Sequence, residues 1–248
     1  MFGLPVIAAC FLIVLVAGMV QGLFGFGSGL LMVPLLVFFL PPEVVVPVSL
    51  LHGLVLNLCL TLITRRHVQI GRVTVLFLAA IVGLPLGALL LLWLPSAVLK
   101  VLIGTVIIAF AIALLLGLRI KVKRERAVMV PVGAVSGILN GSLSLSGPPV
   151  ILFFAGEGLD RSRFKANLVS YFLLINIVTI VIFIILGLID QEVIVWTLAT
   201  LPPLLAGMAG GLMLWGRFDE RAFRKIVLVL VAAAGLLSLV TGAVGLFT

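Results

Sequence analysis

Carboxylates are scarce in this chain. Its 248 residues hold eight Asp and Glu against sixteen Lys and Arg, and none of the eight falls inside a long apolar run. Membrane-phosphatase chemistry would want a carboxylate or Arg at membrane depth, and neither is there. Cysteine is almost missing: Cys10 and Cys59 sit within apolar runs at no paired spacing, so neither a disulfide framework nor a metal site is implied. No cofactor is expected. No polar stretch exceeds about a dozen residues, which leaves no room for an extramembrane domain. No G-x-x-x-x-G-K-[ST] phosphate loop occurs, so ATP coupling within this polypeptide is excluded. The N-terminus MFGLPVIAACFLIV lacks a basic leader region and a clear cleavage site, and is not read as a signal peptide.

What fills the chain instead is apolar sequence. It is 64% hydrophobic and 10% charged, with a mean hydropathy of +1.47. That is the composition of a polytopic, all-α membrane protein. Six uninterrupted segments are long enough to span a bilayer: 44–64, 73–93, 97–117, 166–187, 193–214 and 223–246. Two more, 4–40 and 127–155, are interrupted by glycine, serine and proline.

The formal charge of +8 is explained by topology, not by nucleic acid. Fifteen of the sixteen Lys and Arg lie in four connections, 65–72, 118–126, 156–165 and 215–225. The connections 41–43, 94–100 and 188–192 hold only Lys100, with Glu43, Asp190 and Glu192. Positive charge marks the cytoplasmic side, so the first group is cytoplasmic and the second external. Segment 127–155 then enters and returns on one face, as a re-entrant hairpin with NGSLSLSGPP at its tip. Segment 4–40 reads either as an equivalent hairpin entering from outside, with GFGSG at its tip, or as a single kinked span. The expected organisation is a first transmembrane repeat over 1–117, a basic cytoplasmic linker over 118–126 and a second repeat over 127–248. Each is a broken hairpin followed by three spans, and the second is inverted relative to the first.

Glycine lets a backbone leave the helix, and the freed N–H and C=O groups survive at membrane depth only inside protein or beside a wet cavity. Broken segments at matching positions of two halves point to a transporter's substrate site. The breaks GLFGFGSGLLMVP (Gly22–Pro34) and GILNGSLSLSGPPVILFF (Gly137–Phe154) are therefore the expected functional centre.

At GLFGFGSGLLMVP, the basic loop RRHVQIGR, the Gly83/Gly87 pair and the SG–PP turn, the chain resembles the sulfite exporter TauE/SafE family of the toluene-sulfonate uptake permease superfamily. The resemblance covers essentially the whole chain. It implies a multi-pass carrier of the bacterial inner membrane for small sulfur-containing anions such as sulfite, sulfoacetate or other sulfonates. Its partners would be that anion and membrane lipid. The second break departs from a glycine-rich version by using Asn140, Ser142, Ser144 and Ser146.

A sulfonate needs hydrogen-bond donors and no nearby carboxylate. The first break, with Gly25 and Gly27 as further site candidates, offers the free N–H groups of a half-helix N-terminus near Ser28, Gly29 and Leu30, where the dipole favours an anion. In the second, Pro148 and Pro149 remove two such donors, and the hydroxyls of Ser142, Ser144 and Ser146 and the amide of Asn140 are placed to compensate, with Gly147 beside them in the expected site. The competing view is that these small residues only permit close helix packing. That view fits Gly83/Gly87 and Gly207/Gly210/Gly211 better. Asn57 and Asn176, at related mid-span positions, face either the substrate or a neighbouring helix. His52 is the only titratable group deep in an uninterrupted span, and two roles stand for it: proton coupling or anion contact, or a neutral hydrogen bond to hairpin backbone. Tyr171, at the corresponding position of the second half, could donate its hydroxyl, and Gln21 is a weaker candidate. A secondary carrier working by alternating access is the leading expectation. An anion channel, or an intramembrane serine hydrolase pairing His52 with the serine cluster, is the alternative.

Overall fold

The structure is a computed structural model. It describes the backbone of residues 3–118, 125–214 and 220–247, with side chains throughout except at 125–126, 220–228, 230 and 247. Most of the basic linker, 119–124, lies outside the described residues. The described residues form the helices α1 (Leu4–Phe24), α2 (Ser28–Leu36), α3 (Pro42–Thr64), α4 (Ile70–Trp93), α5 (Ser96–Leu115), α6 (Glu125–Leu143), α7 (Gly147–Gly156), α8 (Arg161–Ile185), α9 (Gln191–Leu214) and α10 (Glu220–Phe247), joined by short connections. Long, short, long, long, long is the order of the first five helices and again of the second five.

Local chemistry sets most of these limits. Pro5 and Pro42 stand in the first turns of α1 and α3, where a missing N–H costs nothing. Asp160 caps α8 by accepting the Arg163 N–H at 3.0 Å, and that bond holds its carboxyl below the usual carboxylate range. α1 ends where Gly25 and Gly27 adopt φ of +79° and +105°. The second break is shorter than the sequence suggests. Asn140 to Leu143 remain helical, and only Ser144, Leu145 and Ser146 lie between α6 and α7, with Ser144 at φ +55°.

Six described helices are long and apolar enough to cross a membrane: α1, α3, α4, α5, α8 and α9. α1 belongs to this set because the glycines of the 4–40 segment gather at its end and leave 21 unbroken helical residues, about 31 Å at 1.5 Å per residue. Large apolar side chains such as Leu12, Val82, Ile185 and Met213 point away from the bundle. An outer surface of that kind is solvated by lipid, not water. The chain is a multi-pass membrane protein.

Glycines fix which helices touch. On α1, a Cβ at Gly18 would meet the Leu204 carbonyl and one at Gly22 the Met208 carbonyl of α9. From the other side, Gly207 and Gly211 of α9 lie against the carbonyls of Leu15 and Met19. The same arrangement joins α4 and α6, where Gly83 and Gly87 meet the carbonyls of Ala134 and Ile138, and Gly133 and Gly137 meet those of Leu76 and Ala80. Residue numbers rise together in both pairs, so each runs parallel, and each joins one half of the chain to the other. Gly210 departs from its expected packing role, since nothing lies within 4 Å of a Cβ there. α3 packs along α8 and α5 along α10. Arg72, at the start of α4, pairs with Glu157, just past α7, at 3.1 Å. α6 therefore begins and α7 ends at the same end of the bundle.

A cavity where the two breaks meet

The two breaks touch. A Cβ on Gly29 would lie 2.9 Å from the Ser144 carbonyl, 3.9 Å from Ser49 Oγ and 4.0 Å from Leu145 Cδ2. Between and beside them is a cavity of about 50 Å³. From the first break it is lined by Gln21 and Phe26 to Leu30, and from the second by Asn140 and Ser144 to Gly147. α3 adds Ser49, Gly53 and Asn57; α8 adds Phe172 and Asn176; α7 adds Ile151. No lining residue is charged.

Side-chain bonds hold each break in place. Gln21 Nε2 donates to Asn57 Oδ1 at 2.8 Å, while its Oε1 accepts the Ser28 N–H at 3.1 Å and the Ser28 hydroxyl at 2.8 Å. One residue thus spans the first break and ties it to α3. In the second half Ser136 does the spanning: its hydroxyl donates to the Ser146 carbonyl at 2.7 Å. Asn140 Nδ2 donates to Thr179 Oγ1 at 2.8 Å and reaches Asn176 Oδ1 at 3.4 Å.

These bonds occupy the acceptors and turn donors inward. With their Oδ1 atoms engaged, Asn57 and Asn176 present Nδ2 toward Gly53, where a Cβ would meet them at 3.8 and 2.7 Å. At the head of α2, the Gly27 carbonyl takes the Leu31 N–H and Gln21 takes that of Ser28. The N–H groups of Gly29 and Leu30 have no acceptor among the described residues. Ser49 Oγ is buried and likewise has no partner there. Unpaired donors at a helix N-terminus in an uncharged, half-open pocket suit an anion.

Of the residues singled out from sequence, Gln21, Gly27, Ser28, Gly29, Leu30, Asn57, Asn140, Ser144, Ser146, Gly147 and Asn176 line this one cavity. Four do not. Gly25 is turned toward the Lys165 stem, whose Cγ a Cβ would meet at 2.5 Å. The Ser142 hydroxyl returns to its own helix, donating to the Ile138 carbonyl at 2.7 Å. Tyr171 is fully buried and gives its hydroxyl to Ser136 at 2.8 Å, so it supports the residue that spans the second break. His52 faces α9, with Nε2 3.2 Å from both the Thr197 carbonyl and Thr200 Oγ1. A carbonyl only accepts, so Nε2 carries the proton; Nδ1 is buried without a partner. None of the second-break serines bonds to it, so the Ser–His pair of a hydrolase is not formed among the described residues.

Ser49 and Gly53 escaped the sequence reading, although with Asn57 they form a four-residue stripe that puts all three on one helix face. A family model described as sulfite exporter TauE/SafE matches residues 10–238. The chain belongs to the sulfite exporter TauE/SafE family. No curated protein and no solved structure matched it. Family membership makes this chain a transporter of sulfite-exporter type, and the match takes in both breaks and every lining residue of the cavity.

Proposed function

We propose that this TauE/SafE protein is a secondary carrier that holds a small sulfur oxyanion between its two helix breaks. The observation that carries the reading is the uncharged cavity into which Asn57, Asn176, Ser49 and the Gly29 and Leu30 N–H groups direct donors. Its size adds a constraint. A cavity of about 50 Å³ takes roughly three to five water-sized groups. That room suits a sulfur oxyanion group, whether sulfite, thiosulfate or the head of a sulfonate whose tail reaches out of the half-open pocket.

Alternating access follows from an inverted pair of repeats, 1–117 and 127–248, each a hairpin plus three spans in the bacterial inner membrane. The repeated element order, the exchanged parallel pairs α1–α9 and α4–α6, and the shared end of α6 and α7 support it. Rocking one repeat against the other would open the cavity to each face in turn. A proton is proposed to accompany the anion by way of His52, which adjoins Gly53 and bridges α3 to α9.

A thermal-shift panel of sulfite, thiosulfate, sulfoacetate, taurine and isethionate on detergent-purified protein tests the site. Stabilisation by sulfite or thiosulfate is expected, with Asn57→Leu and Asn140→Leu each abolishing proteoliposome flux. Undiminished flux in both variants would remove the cavity from the pathway. Flux that ignores a proton gradient in the wild type and in His52→Gln would dismiss the coupling.

A further inference from the structure

Lys165 stands one turn into α8, in a basic stretch that topology alone would explain, yet it is 3% exposed. Its Nζ donates to the Gly22 carbonyl at 2.7 Å. Its stem lies across Gly25, leaving no space for a side chain there. One residue away on α8, Phe164 packs edge-on against Phe26 of the first break with ring centroids 6.2 Å apart. Gly22 is among the last four residues of α1, whose carbonyls have no partner within the helix.

Those carbonyls form the negative end of a helix dipole beside the cavity, and Gln21, next to Gly22, lines it. The head of α2, which follows after the three residues Gly25 to Gly27, is a positive end. An anion between them meets opposing fields unless the first is cancelled. The second break manages this with its own backbone, since the Leu139 and Asn140 carbonyls accept the N–H groups of Leu145 and Ser144. The first break does this only once, the Gly25 N–H closing on the Gln21 carbonyl, and gives the Gly22 carbonyl to an ammonium group.

We propose that Lys165 is a positioning residue that makes the first break attractive to anions by capping α1 with positive charge; this rests on the carrier reading above. A charge acting on the ligand scales with ligand charge, whereas a disturbed geometry does not. The experiment is isothermal titration of purified protein with thiosulfate, a dianion, and methanesulfonate, a monoanion. Each unit of ligand charge should lose roughly a factor of five in Lys165→Gln. Methanesulfonate affinity then falls about fivefold and thiosulfate about twenty-fivefold, while Lys165→Arg keeps their ratio within about twofold of wild type. Lys165→Met keeps the apolar stem over Gly25 and replaces the glutamine variant if that one does not fold. Equal losses for both anions, or none, overturn the proposal. So does failure of both neutral variants to fold while Lys165→Arg binds normally, because Lys165 is then only a structural cap. Wild-type protein that binds neither of these anions, nor sulfite, removes the carrier reading itself.

Discussion

A methyl group on Gly53 would stand 2.7 Å from the side-chain nitrogen of Asn176, a residue on the other side of the cavity and in the other half of the chain. α3 thus leaves a gap where the amides of Asn57 and Asn176 converge. Gly53→Ala fills it by swinging a flexible amide aside, at little cost to the fold, since alanine is also the better helix former by about 1 kcal/mol. The expected result is anion affinity reduced about tenfold or more with an unchanged or higher unfolding midpoint. Gly71→Ala, in α4 where nothing lies within 4 Å, is the matched control: affinity should stay at wild type, with the midpoint likewise unchanged or higher.

Replacing Asn57 by Asp keeps the acceptor that Gln21 uses and substitutes an oxygen for the inward donor. A carboxylate facing the anion opposes it in charge and in hydrogen bonding, so affinity should fall by roughly a hundredfold with the fold intact. Asn57→Leu differs in a measurable way. It also takes away the nearer acceptor of Gln21 Nε2, leaving only the Gly25 carbonyl at 3.5 Å, and should lower stability by about 1 kcal/mol. Titration and thermal unfolding of the two variants separate these effects.

Tyr171→Phe removes the donor that Ser136 accepts, without touching the cavity wall. Stability should drop by about 1 kcal/mol, with anion affinity within about twofold of wild type. A larger loss of affinity would mean that Tyr171 reaches the ligand after all.

Gly211→Ala places a Cβ 2.2 Å from the Met19 carbonyl, and backbone cannot step aside as a side chain can. α1 and α9 must separate, with an expected cost of about 1–3 kcal/mol. Gly210→Ala, in open space on the same helix, should be neutral or mildly stabilising. Unfolding curves in mixed micelles check both.

The helix breaks were legible because glycine at Gly25 and Gly27 has a backbone reason, and each does adopt positive φ. Asn57 and Asn176 were legible because a buried amide must find partners. Tyr171 was misplaced by a single position: it precedes Phe172, which lines the cavity, and one residue turns a helix face by about 100°. Ser142 was misplaced because its hydroxyl is satisfied within its own helix, a local bond that competes with any ligand. Lys165 was hidden by its neighbours. In a stretch with Arg161 and Arg163, a basic residue looks like orientation charge, and only the fold shows it reaching 143 residues back along the chain.

The crossed pairing of α1 with α9 and of α6 with α4 bears on how the molecule is made. During synthesis the glycine face of α1 has no mate until the ninth helix leaves the ribosome, so the early part of the protein must wait in the bilayer unfinished. Neither half, expressed by itself, owns the surface that completes its leading helix.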